Sequence, residues 1–480
     1  MKKIFYEIPE GFKIGASSSA WQSEGWKGKK ENQVSWADAF YKSAPSKWYE
    51  SYGPTIATDF YSRYKEDIKL MNSLNLQSYR TSIDWSRFIE DYDNVIVSED
   101  ALNYYNDMIN ELIANNVQPI ICLEHWELPD YLIQKYGGWG SRKVVDLYLR
   151  YAEKAFEAFS DRVKIWFTFN EPGVVPNLGV AEAIWYPYKV NFKESVQWNY
   201  HKVLATALTV KLFKEKGYNK DGGKIGIIQN VAQVYPRSNS EEDIKAAHMA
   251  ELFADKTYLD PCIKGEFPSL LFETLEKHNC LPSYTDEDLE IIKNNTVDIL
   301  GVNFYGPNRA KAKATKWNDE NPFNPSYYFD SWSMPGATMN QSRGWEIYAK
   351  AFYDIAINIK NNYRNIEWMI MENGMGVHDE YKHKDLKGQI QDDYRIDYIS
   401  DHLRWLFKAI KDENANCTAY HMWNFTDNVS PMNAFRNRYG FVEIDLSNNR
   451  SRRVKKSGEW IKKVIDRGGF EYKSFEDELK

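Results

Sequence analysis

Residues 164–172 read Lys-Ile-Trp-Phe-Thr-Phe-Asn-Glu-Pro. An apolar run of buried-strand length ends in an amide, a carboxylate and a chain-breaking proline. Far downstream, residues 367–374 read Glu-Trp-Met-Ile-Met-Glu-Asn-Gly, again a short apolar run followed at once by a glutamate. A carboxylate at the mouth of an apolar core loses hydration unless neighbours compensate. Glu171 and Glu372 therefore suggest one cleft with two acid groups aimed into it. Cleavage of a glycosidic bond needs such a pair, one to protonate the leaving oxygen and one to act at the sugar carbon. Strand-end glutamates in structural ion pairs look the same in isolation, so the remaining sequence has to decide.

Short apolar segments recur along the whole chain. Strands are expected at Phe12–Ala16, Ser78–Ile83, Pro119–Leu123, Lys164–Phe169, Lys224–Gln229, Val297–Val302, Glu367–Met371 and Thr418–Met422. Helical periodicity lies between them at Phe60–Leu74, Ala101–Asn115, Val144–Phe159, Val196–Lys216, Ile244–Tyr258, Gly344–Asn361 and Tyr394–Asp412. Eight strands separated by helices predict an α/β fold, a single (β/α)8 TIM barrel with long βα loops spanning residues 1–480 as one domain. A doubly wound sheet is the alternative, but Gly15-Ala16-Ser17-Ser18-Ser19 lacks the G-x-G-x-x-G turn of a dinucleotide site. Barrel active sites lie at the C-terminal strand ends. The residues expected there are Gln22 and Glu24, Arg80, His125 and Trp126, Asn170 and Glu171, Asn230, Asn303 and Tyr305, Glu372 and Asn373, and Trp423.

Composition narrows the class. Hydrophobic content of 43% with 27% charge describes a soluble globular chain, and a net charge of -7 argues against nucleic-acid or anionic-membrane partners. No run of 18 apolar residues is present to span a membrane, and the first residues lack the apolar core of a secretory signal. Cys122, Cys262, Cys280 and Cys417 are scattered without metal-ligand spacing, so no metal or cofactor is expected and a reducing, cytoplasmic setting is. Seventeen tryptophans and 33 tyrosines supply the flat faces that suit sugar rings.

Taken in order, the segments Gly15–Gly25, Tyr79–Ile83, Glu124–Trp126, Thr168–Pro172, Gly301–Tyr305, Met371–Gly374, Trp423 with Asp427-Asn428, Arg438–Phe441 and Lys456–Trp460 resemble glycoside hydrolase family 1. This is the β-glucosidase and 6-phospho-β-glucosidase family, and the match covers almost the whole chain. The resemblance implies hydrolysis by double displacement with retention, Glu171 as acid/base and Glu372 as nucleophile. It also implies that Arg80, Tyr305 and Asn303 orient the carboxylates. Asn170 would bond the sugar 2-hydroxyl, Gln22 and His125 would bind other hydroxyls, and Trp423 would stack on the ring.

One segment departs from the family's usual pattern. Members acting on plain glucosides carry a glutamate and then a tryptophan where this chain has Ser430 and Pro431. Phospho-glucoside members have serine there, lysine seven residues on and tyrosine two beyond. This chain supplies Ser430 and Tyr439 but has Asn437 at the lysine position, with Arg436 beside it as a candidate phosphate contact. The expected substrate is a 6-phospho-β-glucoside. A plain β-glucoside or β-galactoside is the alternative, and a non-catalytic carbohydrate-binding protein is the rival from another class.

Overall fold

The computed structural model describes residues 3–473 apart from Asp319. Eight strands close into a barrel: β1 (Lys13–Ser17), β2 (Ser78–Ser82), β3 (Gln118–Glu124), β4 (Ile165–Asn170), β5 (Lys224–Asn230), β6 (Ile299–Asn303), β7 (Glu367–Asn373) and β8 (Cys417–Trp423). Every pairing is parallel, each strand lies beside its successor, and β8 returns to β1. The surrounding helices include α1 (Phe60–Ser73), α2 (Glu99–Ala114), α3 (Arg142–Phe159), α4 (Phe192–Glu215), α5 (Glu241–Glu251), α6 (Ala351–Asn362), α7 (Asp393–Glu413) and α8 (Lys456–Arg467). Among the described residues no helix is long and apolar enough to cross a membrane.

Strands covered on both faces should be apolar on both, and these are. Ile120, Cys122, Ile165, Phe167, Ile228, Ile299, Met369, Met371 and Ala419 fill the barrel interior. The residues between them, such as Ile121, Trp166, Ile227, Leu300 and Ile370, join the helix-facing core. Space inside is tight enough to exclude a β-carbon at Gly226, which would lie 2.1 Å from the Ile299 carbonyl oxygen.

Two expectations are corrected here. The helix expected from Gly344 begins at Ala351, because residues 339–346 form a small hairpin, Met339–Asn340 against Trp345–Glu346. The apolar spacing of Ile347, Tyr348, Ala351 and Phe352 continues the helical pattern backward into a segment that packs without being helical. The helix α8 was missing from the expectations, because Ser457 and Gly458 weaken its start. Gly458 is needed there, since a β-carbon would meet Val454 Cγ1 at 2.8 Å and the Phe441 carbonyl oxygen at 3.0 Å.

Strict alternation fails at the rim. The register between β4 and β5 shifts between Phe167 and Asn170, and that between β7 and β8 shifts between Ile370 and Asn373. Bulges of this kind re-aim side chains. In β4, Phe169 turns out to stack on Tyr148 (4.9 Å between ring centres), which leaves Asn170 facing inward. In β7, Met371 and Glu372 both face in, while Asn373 turns out to Tyr420 (2.8 Å) and Tyr398 (3.0 Å). Asn373 was expected in the site and is a strut behind it.

Beneath the rim after β8 lies a buried charge network. Lys455 bonds Glu380 and reaches Asp427 at 2.8 Å. Arg395 bonds Glu380 and Asp392, and Asp392 accepts from the Ser457 hydroxyl at 2.5 Å. Asp427 also accepts from Arg438 (3.2 Å) and from the Gly440 amide (3.1 Å). The network ties the loops after β7 and β8 to α7 and α8. Removing one member strands an uncompensated buried charge. Lys455→Met should therefore destabilise the fold by about 3–5 kcal/mol, read as a lowered melting temperature. A melting temperature equal to wild type would show that the network carries no such load.

Candidate active site

The site is assembled around Arg80, an inward-facing residue of β2 with no exposed surface. Its guanidinium bonds the Glu372 carboxylate and donates to the Ser18 carbonyl (2.9 Å), His125 Nδ1 (2.9 Å) and Asn170 Oδ1 (3.3 Å). Because Arg80 donates to Nδ1, the imidazole carries its proton on Nε2. Burial first, and the Arg80 charge second, hold His125 well below the usual imidazole pKa, so the ring is neutral. Nε2 lies 3.2 Å from Asn170 Nδ2.

The two glutamates share one amide. Asn303 Nδ2, at the end of β6, is 3.0 Å from Glu171 Oε1 and 3.1 Å from Asn170 Oδ1, and it also lies alongside the Glu372 carboxylate. Tyr305 donates to Glu372 Oε2 at 2.7 Å.

Electrostatics separate the two carboxylates. Burial and then the charge of Glu372 push Glu171 up to about 8, against the Asn303 hydrogen bond and Arg80. Burial raises Glu372 as well, but the Arg80 ion pair and the Tyr305 hydrogen bond oppose it directly. The shared proton therefore belongs on Glu171. Access differs too: Glu171 lines a 460 Å³ cleft with Asn230, Tyr305, Trp332 and Trp345, whereas Glu372 sits behind it, 3% exposed.

The other expected residues are distributed as follows. Gln22 is enclosed, its amide donating to the Val429 carbonyl (2.7 Å) and accepting from Ser19 (2.8 Å). One N–H and one lone pair remain to it. The Trp423 ring stacks on His125 at 5.8 Å between centres. Ser430 follows Val429 directly, and the Tyr439 ring lies 6.2 Å from Tyr305, so both stand beside the sugar contacts. Asn437 is fully enclosed with His378 beside its amide.

Two expected members of the rim lie elsewhere. Glu24 is in the helix layer, 2.9 Å from Arg87 Nε, because the Ala20–Ser23 helical turn sends it away from the face of Gln22. Arg436 is exposed, packs over the Tyr49 ring and lines an outer groove with Glu50 and Asp379. Sequence reading missed Trp332 and Trp345, which line the cleft, and Arg343, which lies over the Trp345 ring; all three arrive on the long segment between β6 and α6. The signal that could have found them was the length of that segment, since long βα loops of a barrel reach the site.

Comparison with known proteins agrees with this geometry. The pattern of Glycosyl hydrolase family 1 matches residues 5–470. The chain is 46% identical to the 6-phospho-beta-glucosidase GmuD of Bacillus subtilis, over 97% of this chain and 99% of that one. It is 32% identical to beta-glucosidase A of Acetivibrio thermocellus, over 98% and 100%. The solved family 1 β-glucosidase of Thermotoga maritima superposes with a TM-score of 0.87 at 30% identity, over 97% of this chain and 99% of that one. A closed eight-stranded barrel, paired glutamates on one amide and a match along nearly the full length lead to one assignment: the chain belongs to glycosyl hydrolase family 1.

Proposed function

We propose that this enzyme hydrolyses 6-phospho-β-glucosides with retention, and that the whole chain serves as one catalytic unit. The observation that carries the mechanism is the Asn303 amide shared by two carboxylates of unequal charge environment. Glu372, paired with Arg80, attacks the anomeric carbon as the carboxylate. Glu171 gives its proton to the departing oxygen on the side of the open cleft. The bond from the anomeric carbon to that oxygen breaks as the bond to Glu372 forms. In the second half Glu171 removes a proton from water, water attacks the same carbon, and Glu372 leaves. Asn170, Gln22 and His125 hold the sugar hydroxyls and Trp423 packs on the ring.

Phosphate specificity is supported by Ser430, Tyr439 and the absence of a carboxylate where plain-glucoside members carry one, and by the 46% identity to a 6-phospho-β-glucosidase. Four free, buried thiols favour a reducing compartment and hence the cytoplasm. The deciding experiment is parallel assay of p-nitrophenyl β-glucoside and its 6-phosphate. The phosphorylated substrate should give the larger kcat/KM, and a preference for the plain glucoside would refute phosphate specificity while leaving the retaining mechanism intact.

Three outcomes follow for the carboxylates. Glu372→Gln should reduce turnover by several orders of magnitude, because an amide is a poor nucleophile. A 2-deoxy-2-fluoro substrate should add its glycosyl mass to the peptide containing Glu372, and labelling of any other residue would overturn the assignment. Glu171→Gln should leave the first step largely intact for activated aryl leaving groups and slow the second, so that a burst precedes steady turnover. Equal losses on activated and unactivated substrates would exclude an acid/base role.

The pH profile tests the charge argument. A carboxyl raised to about 8 is protonated below that pH and loses its proton above it. Accordingly kcat/KM, which reports the free enzyme, should fall as pH rises through about 8. In Glu372→Gln the neighbouring charge is gone, so the Glu171 carboxyl should titrate lower, measurable by infrared difference spectroscopy. An unchanged titration would show that burial alone sets its pKa.

A further inference from the structure

Most buried cations in and beneath the site are already neutralised. Arg80 is bonded to Glu372, Lys455 to Glu380 and Asp427, Arg395 to Glu380 and Asp392, and Arg438 to Asp427. Arg343 differs. It sits at the turn of the hairpin between β6 and α6, where its amide donates to the Asn340 carbonyl at 3.1 Å. Among the described residues it has no carboxylate partner, and its Nε is buried without a hydrogen-bond acceptor. A half-buried cation with an unsatisfied donor is costly to keep.

The position of Arg343 is fixed by stacked rings. Its guanidinium lies over the Trp345 ring at 4.1 Å from the centre. Trp345 packs 5.7 Å from Tyr305, which bonds Glu372. Tyr305 is also 6.2 Å from Tyr439, which feels the Arg343 charge. The hairpin is held in register with the neighbouring loop: Asn340 Nδ2 donates to the Gly376 carbonyl (3.1 Å), and the His378 amide donates to Ser342 Oγ (3.0 Å). Thus an uncompensated guanidinium, two rings from the Glu372 carboxylate through Trp345 and Tyr305, meets a phenol that is one ring from it through Tyr305. On the β8 loop itself, Asn437 is enclosed and neutral, and Arg436 faces outward.

We infer that Arg343, supplied by the β6–α6 hairpin together with Tyr439, is the cation that binds the phosphate ester of the sugar. Its planar fork matches phosphate oxygens, and stacking on Trp345 holds that fork in place before substrate arrives. A dianionic phosphate answers the unpaired charge. This inference rests on the phospho-glucoside reading above, and it moves the charge-reading residue from the β8 loop to a different loop of the barrel.

The test compares wild type, Arg343→Ala, Arg343→Lys and Arg436→Ala on p-nitrophenyl β-glucoside 6-phosphate, on the plain glucoside and on the glucuronide, with inhibition by glucose 6-phosphate as a second measurement. Arg343→Ala should raise KM for the phosphorylated substrate and weaken glucose 6-phosphate inhibition, each by roughly tenfold to a hundredfold, with kcat much less affected. Arg343→Lys should recover part of that loss, because it restores charge without the fork. Arg436→Ala should leave both values close to wild type. If the wild type prefers the 6-phosphate and Arg343→Ala changes neither value, the inference is wrong and the phospho-glucosidase reading survives. The inference fails equally if all three substrates suffer alike, which would mark a structural role, or if Arg436→Ala carries the effect. A wild type that prefers the plain glucoside or the glucuronide overturns both.

Discussion

A guanidinium sealed inside a barrel has to be matched, and Arg80 is matched unequally. One face goes to the Glu372 carboxylate, while the other donors go to a backbone carbonyl, an imidazole and an amide. That inequality sets the chemistry of the site. Two carboxylates of the same residue type become different acids because only one of them has a cation in direct contact. Burial, with the same guanidinium second, holds His125 neutral, and the guanidinium fixes which ring nitrogen carries the proton. Without it the interior could not carry Glu372 as an anion, and Glu171 would lose the neighbouring charge that helps keep it protonated.

Much of this was legible in the sequence, and what was missed had physical causes. All eight strands fell close to their expected positions because buried parallel strands are apolar on both faces, a strong signal. The two glutamates stood out because each ends such a run. Asn373 and Glu24 were misplaced because linear position at a strand end does not say which way a side chain points. For Asn373 the register break in β7 reversed the alternation, and for Glu24 a single helical turn intervened. Neither a bulge nor a four-residue helix has a sequence pattern strong enough to be read. Arg343 escaped notice because its role depends on a contact between loops distant in sequence, and because the second strand of the hairpin carrying it was absorbed into the helix expected from Gly344.

Division of labour between barrel and loops follows from these contacts. The strands deliver Arg80, Asn170, Asn303, Glu372 and Trp423, each held by neighbours in a covered sheet. Groups around the cleft come from loops: Trp332 and Trp345 after β6, with Arg343 stacked on Trp345, and Tyr439 after β8 beside Tyr305. The buried charges around Lys455 brace the loops after β7 and β8 against the helix ring, so a surface made of irregular backbone is backed by ion pairs with almost no exposed surface. Reaction chemistry and substrate choice can thus vary separately in this architecture.

The Asn303 amide has only two hydrogens, yet three oxygens surround it, from Asn170, Glu171 and Glu372. One acceptor must always go short. In the resting protein Glu372 holds the negative charge. In the proposed reaction, once that oxygen is tied up in an ester and Glu171 has given away its proton, the charge stands on the opposite side of the same nitrogen. The Glu171 oxygen that receives it already accepts from this amide at 3.0 Å, so the charge arrives where a donor waits, with no backbone movement. Over a full double displacement the interior would hold a constant net charge whose location oscillates, and this undersupplied amide sits at the midpoint of its swing.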